Sequence, residues 1–553
     1  MSAGRGMAEN NLLVLRAAAP RSRSRILALG VALAFTAVGG QLVHLALQHQ
    51  ETSAIRVSMM SSSASSLARP DIVDRNGRLL ATDVKMPSLY ADPMLIQDAD
   101  EAAERLVRLF PETDLRELRR NLADKSRRFV WVRRGLSPQV AQRVHNLGIP
   151  GLLFMDEVRR TYPAGRLGGH ILGRVDIDNR GTAGIERHID EIGASEVAHG
   201  ARLSARAPVR LSIDLSVMHA LDNELSEAMA RYGATGAAGI VMDARTGEIA
   251  AAVSRPAADP AIAEESLDPS RTDKVASGTY ELGSIMKLVT TAMALEAGKS
   301  LDSLVDTTQP LKAGRYTIED LHPLGRPMSV AEVFIHSSNV GAGQLALSAG
   351  AETQKAFLEK LGLWSAQKTE VATGPEPLKP AQLARIEQIT LAFGHGLAVT
   401  PLQFTASSAS LLNGGNRITP TFLARDPATP AKSGDRVVSS RTSALLREVM
   451  RRNVTDPAGT GRRADVPGFE VGGKTGTAEL ATAGGYRKKS VIASFLGAFP
   501  ASDPRYVTLV LIFEPKGQTI TDGEITAGRN AAPTTARLVE RIAPLLGVPA
   551  KAL

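Results

Sequence analysis

Ser284 to Ala297 reads SIMKLVTTAMALEA, and its apolar residues Ile285, Leu288, Val289, Ala292, Met293 and Leu295 leave no wide polar face on a helix. A helix of that kind is buried on all sides rather than laid on a surface. Ser284 and Lys287 are three residues apart and so share one face of it. Burial disfavours the ammonium form of lysine, which biases the Lys287 amine toward its neutral, basic form. A neutral amine beside a serine hydroxyl can take the hydroxyl proton and make the oxygen a nucleophile. Ser284 follows Gly283 at the helix start, where free backbone N–H groups and the positive dipole end favour a developing oxyanion.

Strands lie on either side of this helix in the chain. AAGIVMD (Ala237 to Asp243) and EIAAAVS (Glu248 to Ser254) flank a turn at Arg245-Thr246-Gly247, which predicts a hairpin. Three further strands are predicted at Phe469 to Ala478, Val491 to Phe499 and Tyr506 to Phe513, with a turn at Ser502-Asp503-Pro504. A long, mainly helical insertion separates the two groups, and Ala531 to Leu546 closes the chain as an amphipathic helix. Strands, helices, strands and a last helix predict an α+β fold, an antiparallel sheet with helices on its faces and a helical subdomain. The chemistry is expected where the sheet meets the insertion.

Two more motifs extend the constellation. Ser337-Ser338-Asn339 falls between the apolar helical stretches Val330 to Ile335 and Val340 to Leu347. A loop serine there can relay a proton, and an asparagine amide can hold a substrate carbonyl. Lys474-Thr475-Gly476-Thr477 on a predicted strand supplies a cation, hydroxyls for an anionic substrate end, and a glycine where another backbone can approach. Each motif alone is weak. A second Ser-x-x-Lys stands at Ser365 to Lys368 without an apolar run behind it, and a second Lys-Ser-Gly at Lys432 to Gly434 lies in a Pro- and charge-rich loop. GFEVGGKT (Gly468 to Thr475) also matches a phosphate-binding loop. Such a loop must follow a buried strand and open a helix, whereas GTGRRADVP precedes this one and a strand-like segment follows.

At 553 residues the chain is long enough for about two to four domains. Its 65 Lys and Arg are interspersed with 57 Asp and Glu, so the net charge of +8 is spread out and predicts no nucleic-acid partner. With no cysteine, disulfides, thiol catalysis and thiolate metal sites are excluded. No H-x-x-x-H pair or carboxylate cluster predicts a metal, and His170 and His395 read as turn or packing histidines. Ile26 to Leu47 is long and apolar enough to cross a bilayer. Arg16, Arg21, Arg23 and Arg25 precede it, which predicts a cytoplasmic tail over 1–25 and export of everything after residue 47. Small residues at Ala37 and Gly39 keep a cleaved signal peptide as the alternative. Ser58 to Pro70 reads as a linker, and Ile72 to Thr82 as a hairpin turning at Asn76-Gly77. Residues 100 to 120 carry charged helical periodicity, and the stretch from Gly165 to Gly184 is rich in glycine.

In their order, the three motifs resemble the S-x-x-K, S-x-N and K-T-G signatures of the penicillin-binding proteins and serine β-lactamases. Class B penicillin-binding proteins, the monofunctional peptidoglycan transpeptidases, are the most similar. Arg69 to Gly77 (RPDIVDRNG), Arg160, Tyr162-Pro163, Gly165, His170, Gly173 and Gly184-Ile185-Glu186 look like the motifs of their pedestal, which a β-lactamase lacks. The short run from Gly173 to Glu186 resembles the division-specific branch, and Gly394 to Leu397 and Thr400-Pro401 fit the class. Leu282 and Leu288 stand where many members have proline, and Ile285-Met286 where Thr-Phe or Thr-Val is commoner.

The resemblance implies a transmembrane helix at 26–47, an elongated pedestal of the dimerisation type at 48–205 and a serine β-lactamase-like transpeptidase domain at 206–553. It implies that Ser284, Lys287, Ser337, Asn339 and Lys474 are catalytic and that Thr475, Gly476 and Thr477 bind substrate, with no metal or organic cofactor. Substrates would be peptidoglycan stem pentapeptides, and β-lactams would acylate the same serine. The implied setting is the inner membrane at the septum, the catalytic domain periplasmic, with a glycosyltransferase of the shape, elongation, division and sporulation (SEDS) family and other division proteins as partners. An elongation-type enzyme, a hydrolase (a D,D-carboxypeptidase or β-lactam sensor) and a dead or slow acyltransferase retained as a scaffold are the competing readings.

Overall fold

The computed structural model describes residues 36, 38–41, 69–198, 207–426, 435–482 and 485–551. The chain separates into two compact units, Met1–Leu67 and Ala68–Leu553. Of the predicted span Ile26 to Leu47, only the helical residues Thr36 and Val38 to Gln41 are described; the rest lies outside the described residues. Among the described residues no helix is long and apolar enough to cross a membrane.

The second unit begins with a mixed sheet. β1 (Ile72–Val73) turns through Asn76-Gly77 into β2 (Leu79–Ala91), as predicted, but the second strand runs well past Thr82. Asp74 closes the turn, its Oδ1 accepting from the N–H groups of Asn76 and Arg78. The far end of β2 pairs with β3 (Val130–Arg133) and β4 (Leu152–Thr161). Against these strands pack α1 (Ala99–Leu109), α2 (Leu115–Ala123) and α3 (Pro138–His145), whose starts are capped by Asp98, Asp114 and Ser137. Leu89, Leu106, Leu118, Leu122, Val130 and Val144 make a small core of their own there.

The near end of β2 belongs to a much larger core, shared with the rest of the unit. Here the first turn of α4 (Gly184–Ala198) carries Glu186, a fully buried carboxylate held by two guanidinium groups, Arg69 Nε at 2.9 Å and Arg160 Nε at 2.7 Å. Arg160 also reaches Asp83 at 3.2 Å and the Pro70 carbonyl at 3.0 Å. Arg69, Pro70, Arg160 and Glu186 of the pedestal motifs, spread over more than a hundred positions, thus converge on one charged knot. β5 (Val209–Arg210) then pairs in parallel with β1.

The main sheet is antiparallel throughout. It is built from β6 (Gly236–Asp243), β7 (Ile249–Arg255), β8 (Gly472–Thr482), β9 (Gly485–Phe499) and β10 (Tyr506–Phe513), in the spatial order β8-β9-β10-β6-β7. All five strands were predicted; β8 starts three residues later than expected and β9 six earlier. Every residue of β6 and β10 is buried, as the continuous apolar runs require of strands covered on both faces. One face is covered by α5 (Leu215–Tyr232) and α11 (Ala531–Leu545). The other carries α6 (Lys287–Glu296), α9 (Pro401–Leu412) and α10 (Ser440–Thr455). α9 is buried along its whole length despite four hydroxyls, because Thr405, Ser407, Ser408 and Ser410 each donate to the carbonyl four residues back.

Candidate active site

The apolar helix of the opening motif starts later than its sequence suggests. Gly283–Met286 form a single 3₁₀ turn, and the α-helix α6 begins at Lys287. Residues three apart eclipse in a 3₁₀ turn, so the serine and lysine side chains are stacked more directly than on an α-helix. Ser284 Oγ and Lys287 Nζ lie 2.9 Å apart. The turn requires glycine at 283, where φ is +58° and a Cβ would lie 2.8 Å from the Thr477 carbonyl oxygen.

The second motif sits in the turn between α7 (Val330–Ile335) and α8 (Asn339–Ala349). Ser337 has φ +60°, the left-handed conformation usually given to glycine after a helix. A serine held there stores about 1 kcal/mol or more of strain. What that conformation achieves is placement: the Ser337 hydroxyl lies 3.1 Å from Lys287 Nζ and 3.0 Å from Lys474 Nζ. Lys287 also donates to the Ser337 carbonyl and to Asn339 Oδ1, both at 2.7 Å.

The third motif lies on β8, one of the two edge strands, with Gly476 opposite Ser494. A Cβ at Gly476 would stand 2.4 Å from the Leu282 carbonyl oxygen and 2.5 Å from Ser494 Oγ, so the strand can approach the nucleophile's turn only with glycine there. Lys474 is fully buried, over the Phe334 ring at 5.7 Å. Thr475 donates to Thr460 Oγ at 2.8 Å, and Thr477 Oγ accepts from the Ala527 N–H at 3.2 Å. All eight residues singled out from the sequence are therefore brought together. The strand geometry of Gly472–Thr482 rules out a phosphate loop at GFEVGGKT.

The electrostatics follow from burial. The Lys287 amine is held well below its usual range, first by burial and then by the Lys474 charge, while the Asp320 carboxylate pulls the other way. Burial alone brings Lys474 down to about 7. A neutral amine has two N–H donors and one lone pair. The Ser337 carbonyl and Asn339 Oδ1 can only accept, so they take the two donors and leave the lone pair for a hydroxyl; Ser284 Oγ at 2.9 Å is nearer than Ser337 Oγ at 3.1 Å.

Several supporting residues carry no motif and were missed. Asn453 is buried behind β8, donating to the Gly473 carbonyl and accepting from Thr460. Glu281 accepts from the Gly396 N–H at 2.7 Å and lies 3.3 Å from His395 Nδ1, which makes His395 part of the loop packing beside the nucleophile. Asp320 contacts the Ser337–Asn339 turn from a separate loop. The decoy at Ser365 is elsewhere, its carbonyl bonded to Gln403; the second decoy, Lys432 to Gly434, lies outside the described residues. Among the described residues no group of three or more histidine or carboxylate side chains could hold a metal ion.

Fold and site together define a class, and comparison with known families agrees. Residues 237–540 match the penicillin-binding protein transpeptidase domain, and residues 65–192 the penicillin-binding protein dimerisation domain. The chain belongs to the penicillin-binding proteins. It is 37% identical over 493 residues to a probable peptidoglycan D,D-transpeptidase FtsI from Caulobacter vibrioides, covering 88% of this chain and 82% of that one. It is 33% identical to a probable peptidoglycan D,D-transpeptidase PenA from Neisseria meningitidis serogroup B, covering 81% and 80%. With the peptidoglycan D,D-transpeptidase FtsI of Escherichia coli K12 it shares 28% identity, covering 86% and 83%.

Proposed function

We propose that this protein is a peptidoglycan D,D-transpeptidase that cross-links stem peptides through a Ser284 acyl-enzyme during septal wall synthesis. The observation that carries the reading is the Lys287 amine, 2.9 Å from Ser284 Oγ, with its other hydrogen-bonding capacity taken by acceptors. Ser284 Oγ attacks the carbonyl between the two terminal D-Ala residues of a stem pentapeptide, and its proton passes to neutral Lys287. The N–H groups of Ser284 and Thr477 receive the oxyanion; one such donor contributes about 10²–10³ in rate. As the C–N bond breaks, Ser337, held between Lys287 and Lys474, relays a proton to the departing D-Ala amine. Thr475 and Thr477 hold the D-Ala carboxylate, and Asn339 the peptide carbonyl. An amine of a neighbouring stem peptide then attacks the ester, forming the cross-link and freeing Ser284.

The septal assignment is supported by the relatives named FtsI. With it go an anchor at 26–47, a pedestal at 48–205 and a transpeptidase domain at 206–553, at the inner membrane with the catalytic domain periplasmic. β-Lactams acylate Ser284, and a SEDS glycosyltransferase and other division proteins are the partners.

Fluorescent penicillin tests the chemistry. The full chain in detergent labels, Ser284→Ala does not, and Ser365→Ala labels as wild type does. A Ser284→Ala variant that labelled would end the assignment. Depletion in cells tests the septal role: filaments are expected, and rounded cells would point to elongation.

A further inference from the structure

The loop between the strand Tyr316–Ile318 and the strand Met328–Ser329 faces mostly water; Leu321 is 84% exposed. Asp320 in that loop turns the other way. Its Oδ2 accepts the Ser338 hydroxyl at 2.6 Å, and its Oδ1 accepts the backbone N–H groups of Asn339 at 2.5 Å and Val340 at 3.0 Å. Those N–H groups open α8, where a carboxylate is favoured by the helix dipole. The helix is already capped from within, since Ser338 Oγ accepts from the Gly341 N–H at 2.8 Å. Asp320 is therefore a second cap supplied from outside the motif, and it grips both residues that follow Ser337.

We infer that Asp320 is a positioning residue for the acylation machinery, clamping the Ser337–Asn339 turn so that Ser337 Oγ and Asn339 Oδ1 stay on Lys287. The inference rests on reading Ser284 and Lys287 as nucleophile and base. Two physical effects follow from the clamp. It holds Ser337 in its left-handed conformation, which the chain would otherwise relax by swinging the hydroxyl away from Lys287. It also places a negative charge near Lys287. The charged groups acting on that amine are Lys474 from β8, which disfavours the ammonium, and Asp320 from the loop, which favours it.

The test is the second-order rate of acylation of the full chain by fluorescent penicillin, followed across pH, for wild type, Asp320→Ala and Asp320→Asn. A misplaced catalytic group costs on the order of 10²-fold, so the alanine variant should slow by about that factor. Asparagine keeps an oxygen for the two N–H groups and should recover most of the rate. It lacks the charge, however, so the ammonium of Lys287 is less favoured and the acid limb of the rate should move to lower pH. A cap whose charge did not reach Lys287 would move no limb. If alanine acylates like wild type, or if asparagine leaves the limb unmoved, Asp320 is not a positioning residue. Should the alanine variant fail to fold, the asparagine limb alone decides. Absence of labelling in wild type, or labelling of Ser284→Ala, would instead sink the reading on which the inference rests.

Discussion

Two buried lysines share one serine hydroxyl in this site, and their burial costs stability for the sake of chemistry. Lys474 is brought from the ordinary 10.5 down to about 7 by burial. The sign follows from linkage. Above about pH 10.5 both the folded and unfolded lysine are neutral and nothing is lost. As pH falls, the unfolded chain takes up the proton first, so the penalty on folding grows until about pH 7 and is constant below. Lys474→Met removes the penalty, because an apolar side chain of similar size has no charge to desolvate. This variant should melt higher than wild type at pH 7, with a gain that shrinks toward pH 10, while losing penicillin acylation. Differential scanning fluorimetry at the two pH values checks it, and a gain that does not depend on pH would refute the cause given.

At the scale of elements, the site is an agreement between an edge strand and a 3₁₀ turn. β8 approaches so closely that Gly476 has no room for a methyl group, with the Leu282 carbonyl 2.4 Å from where its Cβ would be. Gly476→Ala must push the strand away from the nucleophile. The movement separates Thr477 from Ser284 as well, so acylation should fall by about 10²-fold with little loss of melting temperature. Stopped-flow labelling with fluorescent penicillin measures it; a melting temperature that collapsed in step with the rate would show a core effect instead.

The whole second unit has two cores of unequal size, and they predict different outcomes. Leu106 is fully buried in the small core of the far lobe. Leu106→Ala should cost about 2–5 kcal/mol there. Limited proteolysis should cut that lobe preferentially while penicillin labelling of Ser284 continues. Glu186 belongs to the large core. Glu186→Ala leaves two buried guanidinium groups without their shared carboxylate, and breaking a buried pair costs about 3–5 kcal/mol. Its expected signature is a lower melting temperature together with weaker labelling at the temperature where the root of the pedestal opens. Equal behaviour of the two variants would mean that the cores are not independent.

The main strands, the buried helix after Ser284 and the order of the three motifs were legible in the chain, because hydrophobic periodicity and turn residues act within a few positions. That local physics determined the α+β architecture and named Ser284, Lys287, Ser337, Asn339, Lys474 and Gly476. It also separated Ser284 from the decoy at Ser365, since only one of the two serines has an apolar helix behind it. What it did not reveal are the contacts made across the fold. Asp320 lies in a polar loop with no motif and is significant only because folding brings it onto the start of α8. Asn453 and Glu281 are of the same kind. The left-handed Ser337 and the 3₁₀ start of α6 were likewise decided in three dimensions, by partners distant in sequence. A sequence states which side chains must be buried and which can react; the strain, charge and hydrogen bonds that bring one lysine lone pair to one hydroxyl exist only once the whole core has closed around them.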